Sequence, residues 1–374
     1  MRDVLDGELL DLFVQLAGIA SPTGAEREVA DVVKGYLGDL GLGVHEDGSA
    51  PVTGCGCGNL VVRIPGRGEA PPVGLCAHLD TVPVDRAPRV VVADGFVRSD
   101  GETVLGADDK AAVAVLLLLA RRLVAEPPAG DVEVVLTPGE EAGLLGAKAL
   151  DLSALTARRV FVLDSDGAPG TLIVASPTLK RIDAEFRGTA AHAGISPELG
   201  RSAVVAAARA VVAMRLGRLD DETSANIGIV RGGTAPNVVA ERCTNAGEAR
   251  SHDPARVTEQ AEHMVQAVAA EAAAAGIDVE IDVYEAFRGY RHESKSPLLA
   301  IGAEAAALAG LQTRLVAGGG GSDANVLNAA GLPALTLGVG FENAHSPRER
   351  MSLERLTQLL AMAAGIVCAA GTAA

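Results

Sequence analysis

Apolar positions along the chain follow two different periods, and together these predict an α/β protein. Apolar side chains recur at helical spacing in residues 9–19, 25–37, 108–124 and 143–150. Short, almost wholly apolar runs predict buried strands at residues 60–64, 73–76, 132–136 and 160–163. Predicted helices and strands that alternate along the chain in this way favour a sheet with helices on its faces.

The pattern changes near residue 178. Residues 180–188 alternate between apolar and polar side chains, as a half-exposed antiparallel strand does. Further strands are predicted at 224–229, 238–247 and 279–285, and Ala-rich helices at 202–216 and 259–275. The first pattern resumes with helices at 297–309, 323–330 and 353–368 and a strand at 334–338. We therefore predict a discontinuous α/β domain of residues 1–178 and 291–374, with a mixed sheet flanked by helices. An α+β sandwich of residues 179–290 is inserted in it.

Length and composition agree with two domains. The chain has 374 residues, and 48% of them are hydrophobic, which is enough for large cores. Aromatic residues are 2% and Trp is absent, so the cores must consist of Ala, Val and Leu. The net charge of −16 argues against a nucleic-acid partner, because phosphates require clusters of Lys and Arg.

Cysteine usage and the apolar runs bear on location. Five cysteines without the spacing of a disulfide framework favour a reducing, cytoplasmic setting. The N-terminal residues lack the basic flank and apolar core of a signal peptide. The apolar run 111–120 is about half a membrane span and predicts a buried helix, so we expect no membrane association.

Histidine and acidic residues follow the predicted strands. His78 and Asp80 come after 73–76, Glu140 and Glu141 after 132–136, Asp164 and Asp166 after 160–163, and His345 after 334–338. Asp108 begins a helix, where the helix dipole by itself favours acids. Because α/β sheets place their sites at the carboxyl ends of strands, we expect these side chains at one edge.

This mixture of ligands suits zinc, manganese or cobalt. Asp80 can hold the second ring nitrogen of His78, and the two oxygens of Asp108 can bridge two metals. We assign Glu140 as general base and Glu141 as ligand. For the last acidic ligand we favour Asp164 over Asp166, because Asp164 directly follows the strand. His192, Asn237, Arg250 and the glycine-rich run 318–323 could contact substrate, although each alone is an ordinary surface feature.

Five motifs carry a family resemblance. They are His78-x-Asp80-Thr-Val-Pro, Gly106-Ala-Asp108-Asp109-Lys110, Glu140-Glu141-Ala-Gly, Ala191-His192-Ala-Gly and His345-Ser-Pro. In this order, over residues 16–360, they resemble the zinc exopeptidase family of peptidase T, glutamate carboxypeptidase, aminoacylase and succinyl-diaminopimelate desuccinylase. The segment 163–167 looks most like the peptidase T branch.

The resemblance implies two zinc ions per subunit, with cobalt or manganese as alternatives. His78 would bind one ion and His345 the other, with Asp108 between them. Glu141 and Asp164 (or Asp166) would complete the ligands, and Asp80 would orient His78. A cis peptide bond is implied between Asp108 and Asp109.

For the inserted domain the resemblance implies a lid that forms a homodimer. His192 would reach the partner's active site and stabilise the oxyanion. Arg250 would hold a substrate carboxylate, with Asn237 nearby.

The expected function is a two-zinc metallopeptidase that releases the N-terminal residue of tripeptides. Metal-bound hydroxide would attack, with Glu140 as general base. The alternatives with the same chemistry are an aminoacylase, a desuccinylase or a glutamate carboxypeptidase. An inactive metal-binding or dimeric scaffold is the remaining alternative, and the intact Glu140 argues against it.

Overall fold

The structure is a computed structural model that describes the backbone of residues 2–372 and the side chains of residues 7–372. The helices are α1 (Arg2–Ala17), α2 (Arg27–Asp39), α3 (Ala50–Thr53), α4 (Ala107–Ala125), α5 (Leu145–Ala149), α6 (Ala203–Ala213), α7 (Pro254–Ala275), α8 (Pro297–Leu308), α9 (Asp323–Ala329) and α10 (Leu353–Thr372). Two short 3₁₀ turns span Leu152–Ala154 and Pro197–Leu199.

The strands are β1 (Val44–Glu46), β2 (Leu60–Ile64), β3 (Ala70–His78), β4 (Val90–Ala93), β5 (Phe96–Ser99), β6 (Gly130–Thr137), β7 (Val160–Leu163), β8 (Thr171–Ser176), β9 (Thr178–Arg187), β10 (Gly217–Arg218), β11 (Thr223–Gly232), β12 (Arg242–Ser251), β13 (Asp278–Phe287), β14 (Tyr290–Arg291), β15 (Arg314–Ala317), β16 (Ala334–Leu337), β17 (Phe341–Glu342) and β18 (Arg350–Ser352).

A large mixed sheet follows the order β1-β2-β6-β3-β7-β16-β8-β14, and β15 also pairs with β8. β3 runs parallel to β6 and β7, and β16 runs parallel to β7. In this register His78 lies opposite Thr137, and Leu337 opposite Leu163. The carboxyl ends of these four strands therefore meet at one edge, which confirms the predicted α/β fold class.

Helices pack on this sheet through small aliphatic side chains. α4 is buried along almost its whole length, from Ala107 to Ala120, as the apolar run predicts. α10 is long and apolar enough to cross a membrane, but 56% of its most apolar window is buried. Leu356, Leu359 and Ile366 on α10 belong to the same hydrophobic core as α4, so α10 is a core helix.

The described chain divides into two compact units. Residues 2–174, Arg291–Gly318 and 322–372 form the first, and Ala175–Tyr290 with Gly319–Gly321 form the second. The predicted domain boundaries fall at 178/179 and 290/291. In the second unit, the antiparallel sheet β10-β11-β12-β9-β13 packs against α6 and α7 around Phe186 and Met264.

Two of the local features that differ from the sequence prediction lie next to predicted site residues. A strand was expected at residues 238–247, but β12 begins at Arg242, because Val238 and Val239 pair with residues 191 and 192. The hairpin β4–β5 was not predicted, although Asp94-Gly95 between two apolar runs is a turn signal. β5 pairs with β18, and β18 with β17, so this hairpin supports the loop that carries His345.

Candidate active site

The first group at the sheet edge is His78 with Asp80. His78 ends β3 and is 2% exposed. Its Nδ1 lies 2.9 Å from the carbonyl oxygen of Asp80 and 3.4 Å from Asp80 Oδ1. A ring nitrogen held in this way leaves Nε2 as the atom that faces the site and can coordinate.

Asp108 lies between the two histidines. Its Oδ1 is 3.2 Å from His78 Nε2, and its Oδ2 is 3.2 Å from His345 Nε2. The peptide bond between Asp108 and Asp109 is cis. Each carboxylate oxygen thus faces one imidazole, which is the arrangement a bridging ligand requires.

Glu140 and Glu141 follow β6 in a tight turn that Asp80 holds. Asp80 Oδ1 accepts the backbone N–H of Glu140 at 2.9 Å, and Oδ2 accepts that of Glu141 at 3.1 Å. Gly139 precedes them with φ +69°, and a Cβ there would lie 2.6 Å from Cys55 Sγ, so the turn requires glycine.

The carboxylates and imidazoles fall into overlapping groups that could hold a metal ion. Among the described residues, one ligand atom each from His78, Asp108 and Asp164 lie within 4.8 Å of one another. The same is true of Asp108, Glu141 and His345, and of His78, Glu140 and Glu141. Asp166 belongs to none of these groups and is exposed.

Burial and neighbouring charges shift the pKa values of several of these groups. Burial and the negative charge of Asp164 raise the pKa of Glu140 well above its usual value. Burial and the charge of Asp108 do the same to the pKa of Asp164. The hydrogen bond to Asp108 raises the pKa of His345 to about 10. Carboxylates crowded together in this way favour a bound cation, so the residues fit a metal centre.

The Glu141 carboxylate has an oxygen that is available to a metal ion. Glu141 Oε1 is buried and lies 3.0 Å from His345 Nε2, but it makes no hydrogen bond of good geometry in the described residues. A buried carboxylate oxygen that lacks a donor is available as a ligand.

The family model "Peptidase family M20/M25/M40" matches residues 74–369, which include both histidines and all the acids of the site. The chain belongs to peptidase family M20/M25/M40. It is therefore a hydrolytic enzyme of the peptidase class, and its His, Asp and Glu cluster is a candidate metal centre in a family that generally depends on metal.

Individual relatives indicate which branch of the family this M20 peptidase resembles. The uncharacterized protein YqjE of Bacillus subtilis (strain 168) is 39% identical over 365 residues, 97% of this chain and 98% of the relative. The crystal structure of a tripeptidase from Staphylococcus aureus has a TM-score of 0.91 at 36% identity, and 98% of each chain is covered. That of aminopeptidase PepT from Bacillus cereus ATCC 10987 has a TM-score of 0.86 at 36% identity, with the same coverage. The M20 peptidase thus resembles the peptidase T branch.

The remaining predicted residues lie in the second unit of the M20 peptidase. His192 pairs with Val238 in an isolated bridge, and Ala193 N donates to Asn237 O at 3.0 Å, so His192 and Asn237 are neighbours. Arg250 lies on β12, where its Nε donates to Glu248 at 2.8 Å and its Nη1 to Gly319 O at 3.2 Å.

Two further buried acids lie in the first unit: Asp323, predicted only as part of the run 318–323, and Glu349, which was not singled out from the sequence. Asp323 is 1% exposed and accepts from Thr137 Oγ1 at 2.5 Å, at the end of β6. Glu349 is 2% exposed and accepts backbone N–H groups of the Asp108 loop. Both lie beside motifs that were singled out, Glu349 four residues after His345, but spacing alone does not reveal their partners.

Proposed function

We propose that this M20 peptidase binds two zinc ions and releases the N-terminal residue of tripeptides. The observation that carries the proposal is the Asp108 carboxylate between His78 and His345, with Asp164 on one side and Glu141 on the other. The 36% identity to a tripeptidase and to an aminopeptidase, each over 98% of the chain, supports the substrate class.

His78, Asp108 and Asp164 would hold one ion, and His345, Asp108 and Glu141 the other. When bound, the ions would polarise the scissile carbonyl and lower the pKa of the attacking water. Asp80 fixes the ring of His78 and the backbone of both glutamates, so it positions a base and two ligands together.

Glu140 is the proposed general base and acid. Burial and the neighbouring acids raise its pKa well above the usual value, which suits a carboxylate that must accept a proton and then release it. Its carboxylate takes a proton from the attacking water and delivers it to the nitrogen of the leaving amine.

His192 is the proposed oxyanion donor. Its Nδ1 accepts the backbone N–H of Gly194 at 3.1 Å, so in the neutral ring the proton is on Nε2. Its side chain is exposed, and Nε2–H can therefore donate to a developing negative charge. Asn237, its neighbour, and Arg250 are the proposed substrate contacts, with Arg250 binding the peptide carboxylate.

We also propose that the second unit, as a lid, forms a homodimer. β10 pairs with β11 at Ala225 and Ser224 alone, so the rest of the outer edge of β11 is open in the described chain. On α6, Val205 is 49% and Val212 is 86% exposed. An open strand edge and exposed aliphatic side chains suit a second copy of the chain.

The test combines metal analysis with two substrates. We expect about two zinc equivalents per chain, and release of the N-terminal residue from a free tripeptide that stops on chelation and returns with zinc, cobalt or manganese. The matched substrate is the same tripeptide with its amino group acylated. Cleavage of the acylated compound alone would replace the aminopeptidase with an aminoacylase-type enzyme. Absence of metal and of activity would favour the scaffold.

A further inference from the structure

We propose that Glu349 is a positioning residue that fixes Asp108 relative to His345 and thereby sets metal affinity at the position of His345. The inference rests on the proposed two-metal function. The carboxylate of Glu349 accepts backbone N–H groups and not the coordinating atoms of the proposed metal ligands.

The contacts of Glu349 lie on the loop that carries Asp108. Glu349 Oε2 accepts the backbone N–H of Gly106 at 2.7 Å, and Oε1 accepts that of Asp108 at 3.0 Å. The two bonds span 243 and 241 residues of sequence. One carboxylate thus binds both N–H groups that flank Ala107, and the loop cannot rotate without breaking one of these bonds.

The main chain of Glu349 is fixed in the turn that follows His345. The backbone N–H of Glu349 donates to Ser346 O at 2.9 Å, which closes a turn directly after His345. Arg350 then begins β18, which pairs with β5 and β17. The turn is therefore anchored on a sheet, and Glu349 projects from it to the Asp108 loop.

The backbone of His345 explains why such an anchor is needed. His345 has φ +60° and Asn343 has φ +57°, both in the left-handed region, which is uncommon outside glycine although Asn and His adopt it more readily than most residues. A side chain on a loop with two such residues keeps its place when the surrounding structure holds it. The 3.2 Å separation of His345 Nε2 from Asp108 Oδ2 then depends on the Glu349 contacts.

A merely structural role would be that of a cap on α4, since Gly106 is the residue before the helix and an acid there is favourable. The two roles differ in what they predict. A cap contributes to stability alone, whereas a positioning residue also sets the affinity for metal.

The experiment uses the full-length apo protein and Glu349→Gln, which keeps the volume but offers one acceptor oxygen instead of two. Zinc is titrated calorimetrically, and thermal unfolding of the apo form is measured in parallel. We expect one of the two binding events, that at the position of His345, to weaken by about 10- to 100-fold, the range for residues that orient metal ligands. The other event should change less. Glu349→Asp, with both oxygens on a shorter stem, should give an intermediate affinity.

The matched control is Glu342→Gln, on the neighbouring strand β17, where the carboxylate pairs with Arg350 and Arg355. It should leave both zinc affinities unchanged. Two zinc affinities of wild-type value in E349Q, with or without a lower unfolding temperature, would overturn the inference.

A second measurement separates this inference from the proposed function. Hydrogen exchange of residues 104–110 in the apo protein reports the loop without any metal. Faster exchange in E349Q than in wild type and E342Q is expected, and unchanged exchange would overturn the positioning role. Failure of the wild type to bind two zinc ions would instead reject the two-metal function.

Discussion

Replacement of Asp80 by Asn tests whether one buried carboxylate organises the turn that carries Glu140 and Glu141. Asp80 is fully buried, and its oxygens accept Glu140 N at 2.9 Å, Glu141 N at 3.1 Å and Thr23 Oγ1 at 2.7 Å. Asn has the same shape but presents one oxygen and one NH₂ group. In either orientation of the amide, the NH₂ group faces a backbone N–H that can only donate.

The expected fall in activity follows from the number of hydrogen bonds that the substitution removes. At least one hydrogen bond to a charged acceptor is lost, which is worth about 1.5–3 kcal/mol. If the loss displaces Glu140 and Glu141 in the transition state, kcat/KM should fall by about 10- to 150-fold, at about 1.4 kcal/mol per factor of ten. Zinc should still bind at saturating concentration, because no proposed ligand is removed, although the affinity should fall since Asp80 orients His78.

The assay is steady-state hydrolysis of a tripeptide by zinc-loaded D80N, with thermal unfolding as the measure of stability. The matched control is Asp131→Asn at the opposite end of β6, where Asp131 accepts Gly66 N at 2.8 Å and pairs with Arg63. D131N should lose stability and keep its kcat/KM. An unchanged kcat/KM in folded, zinc-loaded D80N would refute the reasoning.

The other predictions concern the base, a buried acceptor and an ion pair. Glu140→Gln removes the proton acceptor at constant volume, so tripeptide turnover should vanish while zinc content, measured by elemental analysis, stays; normal turnover would exclude Glu140 as the base. Glu133 is 2% exposed. Its carboxylate accepts the backbone N–H groups of Thr156 and Ala157 and the hydroxyl of Thr156. Glu133→Ala should lower the free energy of unfolding by about 3–6 kcal/mol, since two of the three donors, the backbone N–H groups, lose a charged acceptor. Urea denaturation checks this, and a negligible loss would contradict it. The side-chain hydrogen bond to Arg27 lowers the pKa of Glu46 from 4.5 to about 2. A carboxyl group with a lowered folded-state pKa stabilises the protein above the unfolded value and loses this effect as the pH falls towards 2. The difference in unfolding temperature between wild type and E46Q should therefore shrink from about pH 6 to about pH 3; a constant difference would show that the pair is not coupled to folding.

Much of the fold could be predicted because burial is written into local periodicity. The continuous apolar runs at 132–136 and 160–163 are strands covered on both faces, β6 and β7, and the run 111–120 is the buried middle of α4. The hairpin β4–β5 was missed because short strands carry weak periodic signals, although its turn residues were visible.

The choice between Asp164 and Asp166 as the last acidic ligand was harder to predict from the sequence. Asp164 and Asp166 are two residues apart and chemically identical, and adjacency to the strand was the one local reason to prefer Asp164. The structure places Asp164 within 4.8 Å of His78 and Asp108 and leaves Asp166 exposed. That distinction depends on the direction in which the chain leaves β7, which periodicity does not contain.

The sequence by itself determined the types of element, the fold class and the candidate residues for the chemistry, because each depends on side-chain type and near-neighbour spacing. The tertiary structure alone decided that β3 lies between β6 and β7, which brings His78 and Thr137 into register. It also decided that Glu349 reaches back 241 residues to Asp108. Such contacts arise when distant segments pack to satisfy buried polar groups, and chain separation bears no relation to distance in the folded protein.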